Sequence, residues 1–459
     1  MKKLFGTDGM RGAAGVFPLD ADTIRTTGAS LARQLAARTG RAPRIVVGRD
    51  TRESGAWLEA ALVAGAAAAG AQVESAGVIT TPGVAYLART LPADAGVVIS
   101  ASHNPYEDNG IKIFAPSGRK LDDATERLIE ADIYAARARV SASHSAPTQS
   151  TSGETEQESH ATRLRARYLD YLSGEIGAGL QLEGLKLVLD CAHGAAFALA
   201  PALCARLGAE VVAINNAPDG RNINREAGSL YVDKLSDVVT KAGAQLGVAF
   251  DGDADRALFV DTRGKVVDGD ATLWVMAQDM AARGALAGRM VVATVMSNIG
   301  LELALKTRGI ELRRTDVGDK YVLEELLNTD ASLGGEQSGH IIFPRVSLAG
   351  DGLVTMLCLL RAMHTTGQPL HELTTGFVRY PQVLVNVHVG EKRPFADVPE
   401  IAAQASATEA QLAGAGRLLL RYSGTEPLAR VMIEGQDQTE IDSLAHALAA
   451  VIRNALGTG

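Results

Sequence analysis

Val97-Val98-Ile99-Ser100-Ala101-Ser102-His103-Asn104-Pro105 is an apolar, β-branched run that stops abruptly in a polar loop closed by proline. Open α/β sheets bind their ligands at the carboxyl ends of the strands. A serine at the mouth of a strand, with no hydrophobic residue on its far side, is placed to meet a ligand. Ser102 is therefore the first candidate functional residue.

The same unit recurs outward from this point. Ile45-Val46-Val47 leads to a helix starting near Ser54, Leu187-Val188-Leu189 to one from about Ala195, and Val291-Val292-Ala293 to one from about Ile299. A helix from about Asp20 puts Ile24, Gly28, Leu31 and Leu35 on one face. Repeated strand–loop–helix units predict an α/β fold with substantially parallel sheets. After residue 268 a new strand–helix series begins. Beyond Phe377 the pattern changes to an alternating strand, Val383-Leu384-Val385-Asn386-Val387-His388-Val389, and a final amphipathic helix marked by Ile441, Leu444, Leu448 and Val451 and stopped by Gly457. These shifts predict domains at 1–165, 166–268, 269–376 and 377–459. Residues 141–160 interrupt the pattern: nine of the twenty are Ser or Thr, and no large apolar side chain is present. Such a stretch buries too little surface to offset its ordering entropy and reads as a mobile insertion or linker.

The composition narrows the function. The chain has 459 residues, a net charge of −8, 4% aromatic residues and no block of lysines or arginines. Nucleic-acid binding needs a basic face or stacking rings, so it is not expected. The longest apolar run, residues 60–71, is well short of the ~20 residues that span a membrane. Three scattered cysteines form neither a disulfide framework nor a zinc pair, and a reducing, cytoplasmic compartment is expected.

Three further loops carry complementary chemistry. Asp251-Gly252-Asp253-Ala254-Asp255-Arg256 follows the apolar run Leu246-Gly247-Val248-Ala249-Phe250. Carboxylates at i, i+2 and i+4 repel unless a hard cation such as Mg²⁺ neutralises them. An EF-hand is excluded, because Arg256 holds its glycine position and Thr262 its last ligand position. Gly334-Gly335-Glu336-Gln337-Ser338-Gly339-His340 offers Glu336 and Ser338 to sugar hydroxyls and His340 for proton transfer. Arg421-Tyr422-Ser423-Gly424-Thr425-Glu426-Pro427, with Arg430, suits a phosphate monoester that is gripped without reacting. Arg11, in Gly6-Thr7-Asp8-Gly9-Met10-Arg11-Gly12, offers a cation to a phosphate, and Lys112 of Asn109-Gly110-Ile111-Lys112 points either at the site or at water.

In this order the loops resemble those of the α-D-phosphohexomutase family across nearly the whole chain. The motifs at 5–12 and 335–340 favour the amino-sugar branch over the phosphomannomutase/phosphoglucomutase branch. The resemblance implies three similar α/β domains and a smaller C-terminal α+β domain around a central cleft. It implies that Ser102 is a phosphoserine, and that Asp251, Asp253 and Asp255 bind one Mg²⁺ per subunit with a phosphoserine oxygen. Arg11, His103 and Lys112 then surround the reacting phosphate, Glu336 and Ser338 read the sugar, and His340 transfers a proton. Arg421, Ser423, Gly424, Thr425 and Arg430 hold the distal phosphate. The implied reaction interconverts glucosamine 6-phosphate and glucosamine 1-phosphate through glucosamine 1,6-bisphosphate, which is also the activator, on the route to UDP-N-acetylglucosamine. The resemblance leaves a homodimer open. Lys320 stands where the family commonly has arginine, and loses the planar fork. Two other classes remain to be separated: a magnesium-dependent phosphatase with Asp251 as nucleophile, and a non-catalytic sugar-phosphate sensor.

Overall fold

The structure, a computed structural model, describes residues 3–6, 8–139, 154–412, 414–423 and 426–457. The chain forms two compact units, one of Met1–Val292 with Gly318–Thr375, the other of Ala293–Val317 with Gly376–Gly459.

The first unit opens with a six-stranded sheet in the spatial order Phe5–Gly6, Gly9–Ala13, Asp108–Phe114, Ala95–Ile99, Arg44–Arg49, Gln72–Val78. Every residue of Ala95–Ile99 is buried. That strand runs parallel to Arg44–Arg49 and antiparallel to Asp108–Phe114, so Asp50 and Ser100 leave the sheet at the same edge. Helices Ala21–Thr39 and Gly55–Ala68 pack against each other on this sheet. Gly28 lies on the buried face with Ile24, Leu31 and Leu35 because the helices cross there: a Cβ on Gly28 would sit 2.1 Å from the Leu62 carbonyl oxygen. The first helix is capped by Asp20, whose carboxylate accepts the Thr23 N–H. The second begins at Gly55, but Ser54 makes no side-chain cap; its hydroxyl accepts instead from Asn109 Nδ2 at 2.9 Å.

A five-stranded sheet follows, in the order Val266–Val267, Ala257–Val260, Leu246–Phe250, Lys186–Asp190, Glu210–Ile214. The helix expected from Ala195 starts at Leu199. Residues before it are committed to turns: Ala192 and His193 take positive φ (52° and 49°), and the Ala195 N–H donates to the Gly252 carbonyl. Still within this unit, residues 290–292 run beside Gly334–Gly335, which pairs antiparallel with Ile341–Ile342.

The expected insertion at 141–160 is corrected at its end. Residues 140–153 lie outside the described residues, but helix Glu154–Tyr171 begins within the stretch. Its downstream side chains Ala161, Leu164 and Tyr168 are buried, and burial there anchors an N-terminal turn too polar to fold alone.

In the second unit, helix Ile299–Thr307 precedes strand Glu311–Thr315. An antiparallel sheet, Gln382–His388, Leu428–Glu434, Arg417–Tyr422, packs with helices Pro399–Leu412 and Gln438–Leu456 around Val431, Ile433, Ile401, Ile441 and Leu448. Leu444 and Val451 are partly buried against this core. Among the described residues no helix is long and apolar enough to cross a membrane.

Candidate active site

Two strand ends of the first unit create the site. Ala95–Ile99 delivers Ser102, and Leu246–Phe250 delivers the three acids. Ser102 is buried, adopts φ 52°, and donates from its hydroxyl to Asp251 Oδ2 at 2.6 Å. Carboxylate oxygens of Asp251, Asp253 and Asp255 lie within 4.8 Å of one another, all buried. Gly252 permits this convergence: a Cβ there would lie 2.5 Å from the Ser102 carbonyl oxygen.

The donor set fits a hard cation. Among the described residues, Asp253 Oδ1 is buried without a hydrogen-bond partner. Asp255 Oδ1 is likewise without one among these residues, its nearby cationic groups being the His340 ring at 3.6 Å and Arg256 Nε at 3.8 Å. Burial, then Asp255 and Asp253, push the Asp251 carboxyl far above its ordinary range. Burial also opposes charge on Asp255, but Lys112 and His340 outweigh it and hold that carboxyl low. One member of the triad thus carries the unneutralised repulsion that a divalent ion removes.

Lys112 points into the site, with Nζ 2.9 Å from Asp253 Oδ2 and 3.4 Å from Asp255 Oδ2. Burial disfavours its charge, but the two aspartates more than compensate and its pKa rises. Arg11, on strand Gly9–Ala13, pairs with Asp8. His103 Nδ1 lies 3.4 Å from the Ser102 hydroxyl; burial, with Arg256 and Arg11, brings its pKa down to about 4. His340 is buried, and the Gly350 backbone leaves no room beside its ring, since a Cβ there would meet Nε2 at 2.4 Å. Burial works against an imidazolium, but Asp255 and then Asp319 and Glu336 raise the His340 pKa above its ordinary value. A cavity of about 670 Å³ is bordered by Asp8, Lys112, Lys120, Asp255, Asp319 and His340. Ser338 Oγ is buried without a hydrogen-bond partner among the described residues, and Glu336 Oε1 accepts the Gly318 N–H at 3.1 Å. Lys320 borders the same cavity and pairs with Asp123 at 2.9 Å.

Arg421, Ser423 and Arg430 cluster in the second unit. Arg421 and Arg430 stand directly opposite on antiparallel strands, and Arg430 Nη2 is 3.4 Å from Ser423 Oγ. Like charges in register destabilise a sheet, and Arg430 Nε is buried without a hydrogen-bond partner among the described residues. Both features suit an anion. Gly424 and Thr425 lie outside the described residues.

Sequence reasoning passed over several residues of the site. Thr81 donates to Asp253 Oδ2 at 2.6 Å, and Arg256 is partly buried, with Nε 3.8 Å from Asp255 Oδ1 and its backbone N–H donating to Asp251 Oδ1 at 3.1 Å. Lys120 bridges Asp8 and Asp319 at 3.1 and 2.7 Å. Arg52 and Asn224 hold the Ser102 carbonyl. The signal for Arg52 was present: Asp50-Thr51-Arg52 follows an apolar strand as Ser102 does.

Four family models cover the chain, described as phosphoglucomutase/phosphomannomutase α/β/α domain I (residues 2–140), domain II (166–264), domain III (268–380) and the C-terminal domain (384–451). A protein of Solibacter usitatus named phosphoglucosamine mutase is 49% identical over 456 residues, with 99% of each chain covered. A phosphoglucomutase/phosphomannomutase family protein of Burkholderia thailandensis shares 26% identity and superposes with a TM-score of 0.78, over 99% of this chain and 97% of the other. An Aspergillus fumigatus N-acetylphosphoglucosamine mutase, solved with GlcNAc-6P and magnesium, shares the fold at 20% identity and a TM-score of 0.64, over 99% and 96% of the two chains. The chain belongs to the phosphoglucomutase/phosphomannomutase family, and its full-length likeness is to phosphoglucosamine mutases.

Proposed function

We propose that the chain interconverts glucosamine 6-phosphate and glucosamine 1-phosphate, as an intramolecular phosphotransferase of the mutase class. The observation that carries this reading is a buried serine hydroxyl 2.6 Å from one member of a converging aspartate triad. A phosphatase using Asp251 would not need that serine.

In this reading Ser102 carries the transferable phosphoryl group. Phosphoserine brings a charge of about −2 and three acceptor oxygens, which Arg11, Lys112 and Arg256 are placed to offset. Asp251, Asp253, Asp255 and a phosphoserine oxygen would hold Mg²⁺, whose chemistry is to neutralise charge on the transferring group. A sugar hydroxyl attacks the phosphorus of phosphoserine as the bond to Ser102 Oγ breaks, and the product is a sugar bisphosphate. The sugar hydroxyl's proton passes to a base, for which His340 is the candidate in its neutral form, and the leaving Ser102 oxygen takes up one proton in turn and becomes a free hydroxyl. Return of the other phosphate to Ser102 completes the turnover. His103 contributes position rather than charge, given its lowered pKa. Glu336 and Ser338 are assigned to the sugar hydroxyls, and Arg421, Ser423, Gly424, Thr425 and Arg430 to the phosphate that does not react. A cytoplasmic step towards UDP-N-acetylglucosamine fits this substrate.

Turnover of glucosamine 1-phosphate, glucose 1-phosphate and mannose 1-phosphate, each with Mg²⁺ and its matching bisphosphate, tests the substrate. Preference for the amino sugar supports the reading. Preference for glucose or mannose would retain the chemistry and overturn the branch.

A further inference from the structure

We infer that the buried Asp50–Arg52 pair is a positioning device for the reacting serine, an inference that rests on Ser102 carrying the phosphoryl group. Arg52 Nε donates to Asp50 Oδ2 at 2.8 Å, and both side chains are fully buried. The pair grips the serine loop on both sides of Ser102. On one side, Ser100 Oγ donates to Asp50 Oδ2 at 2.7 Å and accepts the Ser102 N–H at 2.9 Å. On the other, Arg52 Nη2 donates to the carbonyls of Ser102 at 2.9 Å and Asn104 at 2.8 Å. Nη1 donates to the carbonyls of Asp108, at 3.0 Å, and Pro105. A guanidinium has five N–H donors, and here each has an acceptor.

Asn224 Nδ2 reinforces the grip, donating to the same two carbonyls, Ser102 at 2.8 Å and Asn104 at 3.0 Å. Ser102 itself is held at φ 52°, a left-handed conformation that non-glycine residues adopt only when surroundings impose it. Buried ion pairs contribute little net stability over apolar packing, so stability alone does not account for an arginine in this place. Specification does: a rotation about the Ser102 backbone would swing its hydroxyl off Asp251. Arg52 and Asp50 make no contact with Ser102 Oγ and act through the backbone.

The test charges wild type, Arg52→Lys, Ser100→Ala and Ser102→Ala with ³²P-labelled sugar bisphosphate to a plateau. It then follows the first-order loss of label from Ser102 to glucosamine 6-phosphate. A first-order rate constant is independent of how much protein is correctly folded, whereas the labelled amplitude is not. Arg52→Lys keeps the charge but loses the fork, and Ser100→Ala removes one oxygen from the other side of the grip. We expect both to label at Ser102 and transfer about 10- to 100-fold more slowly, as sub-ångström misplacement of a reacting atom does. Reduced amplitude with a wild-type rate constant would mean a purely structural pair and overturn the proposal. If Arg52→Lys does not fold, the rate constant of Ser100→Ala decides alone. Wild type that labels elsewhere than Ser102 would remove the underlying reading, and the proposal with it.

Discussion

Ser102 and Asp251, 149 residues apart in sequence, are joined by a 2.6 Å hydrogen bond inside the protein. Two strands from different sheets end within reach of each other, one leading to Ser102 and one to the three acids. Neither loop could occupy this position alone. Gly252 lets the acid loop touch the Ser102 carbonyl, and Thr81 and Lys112 fix the middle acid.

The triad predicts a metal-dependent gain in stability that is lost when its most strained member is neutralised. Burial and its two neighbours disfavour charge on Asp251. Without divalent cations, Asp251→Asn should therefore melt at or above the wild-type temperature. Mg²⁺ at ~100 times its Kd should add about 2.7 kcal/mol to wild type, read as a rise of a few degrees in Tm, and little to the variant. Turnover of Asp251→Asn should fall by more than about 100-fold. Equal Mg²⁺-induced shifts in the two proteins would contradict a site at these residues.

Gly252→Ala should separate the two loops. The added Cβ falls 2.5 Å from the Ser102 carbonyl oxygen and 2.9 Å from Asn224 Nδ2. Overpacking of this kind costs about 1–3 kcal/mol, and the displaced hydroxyl should lower kcat about 100-fold. Wild-type kcat in a variant of unchanged Tm would show that the contact is irrelevant.

Arg430→Gln should weaken binding more than chemistry. Charge-assisted hydrogen bonds contribute about 1.5–3 kcal/mol, so KM for the sugar phosphate should rise roughly 10- to 100-fold with a smaller change in kcat. Steady-state kinetics at saturating bisphosphate measure both. A loss confined to kcat would place Arg430 in the reaction rather than at the distal phosphate.

Asp351 should make stability fall as pH rises. Its carboxylate caps helix Gly352–Thr366 and accepts the Tyr168 hydroxyl at 2.6 Å. Burial, opposed by bonds from Tyr168, Val354 and Leu353 and assisted by Asp255, raises its pKa from 3.8 to about 6. The folded state thus holds this proton more tightly than the unfolded chain. Its contribution is fully present below about pH 4 and declines as pH rises through about 6. Asp351→Asn cannot ionise, so the variant-minus-wild-type unfolding free energy should shift in the variant's favour by about 2–3 kcal/mol between pH 4 and pH 8. Any constant offset from rearranging Tyr168 cancels in that difference. A flat difference would contradict the assignment.

The sequence was legible where local pattern and chemistry coincide. Ser102 and the aspartates follow uninterrupted apolar strands, and a break from apolar to charged at a strand end is visible in one dimension. Asp20 and the Ile24, Gly28, Leu31, Leu35 stripe were legible for the same reason. Arg52 follows an apolar strand as Ser102 does, but its role was not legible, because its partners are mostly backbone carbonyls, which leave no trace in side-chain identity. Asn224 lies in an aperiodic loop, and Lys120 and Asp319 meet from 199 residues apart. Glu154–Tyr171 escaped because its first turn is polar in sequence and, from residue 156 on, the first buried side chain is Ala161. The late start at Leu199 reflects a tertiary demand, the packing of Gly194 and Ala195 on the Gly252 backbone.

In the proposed function Ser102, and not Asp251, carries the phosphoryl group. The direct measurement is the position of ³²P on wild-type protein charged with labelled sugar bisphosphate and then mapped by peptide. Acid-stable label is expected on the peptide bearing Ser102, transferable to glucosamine 6-phosphate and absent from Ser102→Ala. Hydroxylamine-labile label on Asp251, persisting in Ser102→Ala, would contradict it.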